Sequence, residues 1–273
     1  MSGHAVSTVP AERWEGGRHV QASEAVASEV GLAIIYNGRP HVVMMVTPLD
    51  LEDFILGFSL TEGVATSPAD LRGIRLRNLP DGIEANVELD PAQYRAADRK
   101  QRNLTGRVGC GLCGAQTLAQ AVRHQPPVGE STNVSAAMLR LGMAQLAQMQ
   151  PLNASTGALH AAGWMDEQGV VVATREDVGR HNALDKLIGA MLRKRSAPLG
   201  GTLLITSRAS HEIVQKVAAA GIEVICAISA PTTLAIRMAE ETHVTLIGFA
   251  REQRFTAYTH LSRLHAAQEC VSA

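Results

Sequence analysis

The chain has 273 residues, a formal charge of −1 and 46% hydrophobic residues, enough to bury one large core or two modest ones as a globular protein. Four cysteines, Cys110, Cys113, Cys226 and Cys270, are too few and too unevenly spaced for a secreted disulfide scaffold, so a reducing, cytoplasmic setting is expected. The near-neutral balance gives no cause to expect a nucleic-acid partner. The first twenty residues hold no continuous apolar segment of the secretory type, and no run is long enough to span a bilayer, so membrane insertion is not expected.

In chain order, residues 1–27 read as a disordered or extended segment. Residues 28–90 read as a small α+β domain. Apolar, β-branched runs at 32–36 and 42–46 flank Asn37-Gly38, a hairpin signal. Thr47-Pro48 is read as the opening of a helix, with Thr47 as cap, Asp50, Glu52 and Asp53 in the first turn, and Leu51, Phe54, Ile55 and Phe58 at helical spacing. A second hairpin is predicted over 72–79 and 82–89, around Asp81-Gly82, giving a ββαββ order.

Residues 91–129 form the next segment, a loop whose first part carries Arg95, Arg99, Lys100, Arg102 and Arg107 against Asp98 alone. It delivers Cys110-Gly-Leu-Cys113-Gly. Two thiols one loop apart can shuttle sulfur, shuttle electrons or hold a metal, and the thiolate is the reactive form in each case. A nearby arginine and the amides of a helix starting after Cys113 would lower the thiol pKa. A metal reading needs further ligands, for which Cys226, His160 and His181 are the candidates. Cys226, inside an apolar run, reads as a core thiol, and Cys270 as part of a frayed tail.

Residues 130–260 alternate regularly. A helix from Ser135 carries Met138, Leu139, Leu146 and Met149. Strands at 158–165, 170–174, 202–206, 222–228 and 244–250 alternate with helices at 181–193, 209–220 and 231–241; residues 261–273 read as a tail. This predicts a mostly parallel sheet covered on both faces, with an antiparallel hairpin at one edge. Ligands in such sheets sit at the carboxyl ends of the strands. Three loops there are chemically conspicuous. Arg175 to Asn182 is dense in charge and includes Asp177, Arg180 and His181; its simplest explanation is helix capping with Asp185-Lys186 exposed. Ser207, Arg208 and Ser210 precede a helix and resemble a phosphate cradle without Walker or Rossmann glycines. Phe249, Ala250, Arg251, Glu252, Gln253 and Arg254 place two arginines and a ring at the exit of the last strand.

Several motifs in one order, Cys110-Gly-x-Cys113-Gly, Thr156-Gly157-x-x-His160-Ala-Ala, Arg175-Glu-Asp-Val-Gly-Arg-His-Asn182 with Asp185-Lys186, Ser207-Arg-Ala-Ser210, Val214-Gln-Lys216, Ser229-Ala-Pro231 and Gly248-Phe-Ala-Arg251, resemble the FdhD family of formate dehydrogenase accessory sulfurtransferases over residues 28–260. The resemblance implies an α/β fold, a cytidine deaminase-like three-layer sandwich with the small α+β domain attached. It implies a sulfurtransferase that accepts persulfide sulfur from a cysteine desulfurase and sulfurates the molybdenum of a bis(molybdopterin guanine dinucleotide) molybdenum cofactor, bound as substrate, for formate dehydrogenase. Cys110 would then carry the persulfide, with Cys113 resolving it or tuning it, and 249–254 would contact the cofactor. No tightly held metal and a homodimer are expected. Competing readings are a non-catalytic cofactor chaperone and a zinc or redox Cys-x-x-Cys protein. A nucleobase deaminase is disfavoured, because no His-x-Glu precedes the thiol pair and Gly109 replaces the expected proline.

Overall fold

A computed structural model describes residues 4–92, 94, 123–193, 200–251 and 254–265. Cys110, Cys113, Glu252, Gln253 and Cys270, with the expectations attached to them, lie outside these residues.

The extended N-terminal segment is a hairpin of β1 (Val6–Glu15) and β2 (Arg18–Ala27). Its register runs from Val6 opposite Ala27 to Glu15 opposite Arg18. Gly16 and Gly17 turn it with positive φ, and Trp14 stacks on His19 at the tip with centroids 4.9 Å apart.

The small domain follows the expected order. β3 (Val30–Tyr36) and β4 (Arg39–Val46) pair through Asn37-Gly38, both with φ > 0 as a tight hairpin turn requires. β5 (Leu71–Leu79) and β6 (Gly82–Leu89) form the second hairpin, and β6 joins β3 in parallel to give the order β4-β3-β6-β5. Helix α1 (Leu51–Thr61) covers one face, packing Phe54, Ile55 and Phe58 on Leu32, Ile34, Ala85 and Val87. Its start corrects the sequence reading. The helix begins after Asp50, which sits at φ 54, and Thr47 is fully buried below it, committed to the other domain.

The large domain contains a six-stranded sheet of order β13-β12-β11-β10-β8-β9: β8 (His160–Met165), β9 (Val171–Asp177), β10 (Thr202–Ile205), β11 (Val224–Ala227), β12 (Thr245–Arg251) and β13 (Arg254–Ala257). The sheet is mixed rather than mostly parallel. Only β10–β11 and β11–β12 are parallel pairs, because β8–β9 and β12–β13 are hairpins closing the two edges and β8 runs against β10. Helices α4 (Arg180–Arg193), α5 (His211–Ala219) and α6 (Thr233–Glu241) pack on one face over Leu203, Ile205, Ile225 and Leu246. On the other face, Leu139 and Leu146 of α2 (Ala136–Gln148) pack over Met165, Leu204, Cys226 and Ile247. Ser135 caps α2 as expected, accepting the Met138 amide; a short α3 (Pro151–Thr156) precedes β8. Cys226 is a sealed core thiol whose pKa burial pushes up to about 12. Residues 123–129 and 261–265 are packed rather than loose: β14 (Leu264–His265) pairs with β7 (Val134–Ser135), and Arg263 donates to the Gly129 carbonyl at 2.5 Å. No described helix is long and apolar enough to cross a membrane.

The domains meet where α1 crosses α4 on two glycines. A Cβ on Gly57 would lie 1.9 Å from the Asp185 carbonyl oxygen, and one on Gly189 would lie 1.9 Å from that of Asp53. Any side chain at either position meets the partner helix's backbone, which cannot rotate away.

Candidate functional site at the carboxyl edge of the sheet

Because β9, β10, β11 and β12 run in the same direction, their carboxyl ends share one edge, and the amino termini of α4, α5 and α6 open there. Each helix start carries unpaired amides and a partial positive charge. The loops at this edge are tied to one another. Thr206 exchanges hydrogen bonds with Ala161, donating its amide at 3.0 Å and accepting on Oγ1 at 2.8 Å. The Thr232 amide donates to the Ala209 carbonyl, the Phe249 amide to that of Ser229, and Arg251 Nε to that of Ile228 at 2.8 Å. The sequence motifs therefore converge from distant parts of the chain onto one surface.

The chemistry at this edge is cationic and rich in donors. Arg208, Arg251 and Arg254 are exposed, the last two facing each other across the β12–β13 hairpin. Phe249 is 39% exposed with φ 53, a backbone conformation uncommon for a bulky residue. Arg180 Nε and Ser210 Oγ are each shielded from solvent with no hydrogen-bond partner among the described residues. His181 Nε2 lies 2.7 Å from Glu212 Oε2. Burial, then Arg180 and His181, hold His160 below its ordinary pKa, so it is neutral at pH 7. Burial raises Glu212, but His181, His211 and Arg180 outweigh it and keep that carboxylate ionised.

Not every predicted residue faces this surface. Ser207 is buried and its hydroxyl donates to the Arg208 carbonyl, while Ala250 packs into the core beneath the edge. Phe249 to Arg251 lie on β12 and Arg254 on β13, so the segment is a hairpin with an internal irregularity rather than the exit of the last strand. Glu212 was not singled out by sequence; its signal is adjacency to Ser210 at the start of α5.

Asp177 turns away from the edge into the domain seam. Its Oδ2 accepts the Thr47 amide at 3.0 Å and lies 2.7 Å from Lys186 Nζ, and its Oδ1 accepts Gly179 N and Asn182 Nδ2, both at 2.8 Å. Lys186 also donates to the Thr47 carbonyl, and Asn182 to that of Met45. Burial draws the Lys186 ammonium below its ordinary value even with Asp177 beside it. Asp185 and Lys186, read from sequence as exposed, are thus buried. Helix α4 is covered by the sheet on one side and α1 on the other, so the polar stripe between them needs internal partners. Arg175, Glu176 and Asp177 also belong to β9 rather than to the loop after it; Arg175 pairs with Asp53 at 2.7 Å.

A second buried network lies further along the seam. Lys216 Nζ contacts Asp185 Oδ2 and Glu62 Oε1, both at 2.8 Å, and donates to Thr61 Oγ1 at 2.9 Å. Burial alone would lower the Lys216 pKa, but Asp185 and Glu62 outweigh it and raise it. Burial alone would raise Glu62; Lys216 and Arg123 instead bring it down to about 2. The stabilisation from Glu62 is therefore complete above the ordinary carboxylate range and lost as pH falls through about 2. Glu62→Gln should be less stable than wild type at pH 7 in urea unfolding, and the gap should close as pH falls from about 4.5 to about 2. A gap that does not change with pH would contradict this ion-pair assignment.

Comparison with known proteins bears on the same residues. The profile of the FdhD/NarQ family matches residues 27–265. A "Sulfur carrier protein FdhD" from Bordetella bronchiseptica is 49% identical over 244 residues, covering 89% of this chain and 88% of its own. One of the same name from Xanthomonas campestris pv. campestris is 46% identical over 262 residues, covering 96% and 92%. A crystal structure described as a formate dehydrogenase accessory protein from Desulfotalea psychrophila superposes with a TM-score of 0.75 at 24% identity, covering 96% of this chain and all of its own, and so shares the fold. With a family match across both domains and relatives at nearly half identity, the chain belongs to the FdhD/NarQ family.

Proposed function

We propose that this chain is a sulfur carrier for formate dehydrogenase maturation. Cys110 takes a sulfane sulfur from a cysteine desulfurase and passes it toward the molybdenum of a bis(molybdopterin guanine dinucleotide) cofactor bound as substrate at the carboxyl edge. The names borne by the relatives support the sulfur-carrier role. The observation that carries the cofactor assignment is the convergence at one edge of exposed Arg208, Arg251 and Arg254, the unpartnered donors of Arg180 and Ser210, and three helix amino termini. A polyanionic dinucleotide asks for that set of groups.

Loading is thiol exchange. The Cys110 thiolate attacks the outer sulfur of the donor's persulfide, the donor's S–S bond breaks, and the donor leaves as a thiolate. The sulfane sulfur changes hands without net oxidation. At the edge, the arginines hold phosphate oxygens as bidentate donors, and Phe249 offers a ring face to a purine. His160, neutral at pH 7, can accept a proton there or take on charge when an anion enters.

The edge assignment is tested by guanosine diphosphate titration calorimetry. The double substitution Arg208→Ala with Arg251→Ala is expected to weaken binding by about tenfold or more, two charge-assisted contacts being lost, with an unchanged melting temperature. Unaltered affinity in that variant would remove the carboxyl edge from the proposal.

A further inference from the structure

Arg123 stands ten residues after Cys113 and is the first described residue after the thiol-bearing segment 95–122. Its anchorage is unusually complete for a residue at the end of a loop. The Arg123 amide donates to Gln215 Oε1 at 2.9 Å; Nη1 donates to the Glu62 carbonyl at 2.5 Å and Nη2 to Glu62 Oε2 at 2.6 Å. One arginine thus holds the end of α1, in the small domain, and a side chain of α5, in the large one. Glu62 is itself shared. Its other oxygen meets Lys216, which continues to Asp185 on α4. At its upstream end the segment leaves Tyr94, which packs on the small-domain core, with the Arg39 guanidinium 5.7 Å from the ring centroid.

We propose that Arg123 is a positioning residue for sulfur transfer: it moors the downstream end of the Cys110/Cys113 segment on Glu62, a carboxylate held by both domains. The inference rests on the sulfur-carrier reading for its consequence but not for its geometry. A thiol that visits a donor enzyme and then a bound cofactor needs slack between two fixed ends, and an end that slips displaces the thiol from both encounters. Forked arginine recognition of the backbone carbonyl and the carboxylate of one residue fixes direction as well as position. Lysine can keep the charge at this point but not the fork.

Arg123 is partly exposed, so its substitution should leave the fold intact. With the full chain, three readouts are compared in Arg123→Ala, Arg123→Lys and wild type: thermolysin cleavage between residues 95 and 122, persulfide occupancy of Cys110 after loading from a small-molecule donor, and activation of formate dehydrogenase. Arg123→Ala is expected to be cleaved roughly tenfold faster and to activate at least about tenfold less well, misplacement of a reacting group being costly, while loading like wild type and keeping its melting temperature. Arg123→Lys should fall between. Unchanged cleavage in Arg123→Ala would overturn the mooring whatever the activity. Activity lost only in step with melting temperature would make Arg123 structural. If the wild-type chain activates nothing, the sulfur-carrier reading fails, and cleavage alone still decides the mooring.

Discussion

Gly189→Ala is expected to destabilise the protein by about 3 kcal/mol or more, near the upper end for overpacking. The new Cβ would sit 1.9 Å from the Asp53 carbonyl oxygen and 2.7 Å from its carbonyl carbon. Both atoms belong to the backbone of α1, so relief requires the helices to separate. Separation strains the buried pairs that bridge them: Asp53 with Arg175 at 2.7 Å, and the Thr61 hydroxyl donating to Asp185 at 2.8 Å. Against this, alanine gains only about 1 kcal/mol over glycine in a helix interior. Gly57→Ala strikes the same crossing from the other side, 1.9 Å from the Asp185 carbonyl oxygen. The double variant should therefore lose less than the sum of the two singles, because helices already pushed apart accommodate the second methyl more readily. Urea unfolding checks both statements, and a midpoint unchanged or raised in Gly189→Ala would show that the close crossing does not exist in solution.

Cys110→Ala is expected to abolish formate dehydrogenase activation while leaving the urea midpoint within experimental error of wild type. The proposed reaction has no route around the loss, since the remaining described thiol, Cys226, is fully buried and held protonated by a pKa of about 12. Cys113→Ala separates the two roles of the second thiol. If Cys113 resolves the persulfide, its thiolate attacks the Cys110 sulfur, hydrosulfide leaves, and a Cys110–Cys113 disulfide forms that a dithiol must reduce before the next cycle. That variant would then load normally and fail to discharge. If Cys113 only tunes Cys110, the variant discharges but loads with a shifted pH dependence. Full activation by Cys110→Ala would remove Cys110 from the mechanism.

Local features of the fold were legible where side-chain chemistry acts over a few residues. Asn37-Gly38 placed the first hairpin turn, Ser135 the cap of α2, and helical spacing the buried face of α1. The grouping of candidate ligand residues was legible for a topological reason: every loop that follows one of β9 to β11 leaves from the same edge. What sequence could not give was set by neighbours distant in the chain. Asp185 and Lys186 look like a solvated pair on one face of α4, and only the arrival of α1 on that face buries them. Thr47 looks like a cap because Pro48 follows it, yet its backbone is claimed by Asp177, 130 residues away. The N-terminal hairpin has little apolar alternation, since its tip is solvent-exposed and Trp14 finds only His19. The mixed character of the sheet depends on which strands become neighbours, which periodicity does not report.

The central claim is that Cys110 carries sulfur. Its most direct test is site-resolved mass spectrometry of the full chain after incubation with a cysteine desulfurase and isotopically labelled cysteine, with free thiols blocked before digestion. The expected result is one labelled sulfur atom on the peptide holding Cys110, removed by dithiothreitol and missing from Cys110→Ala. Label absent from that peptide, or persisting in the Cys110→Ala variant, would contradict the account.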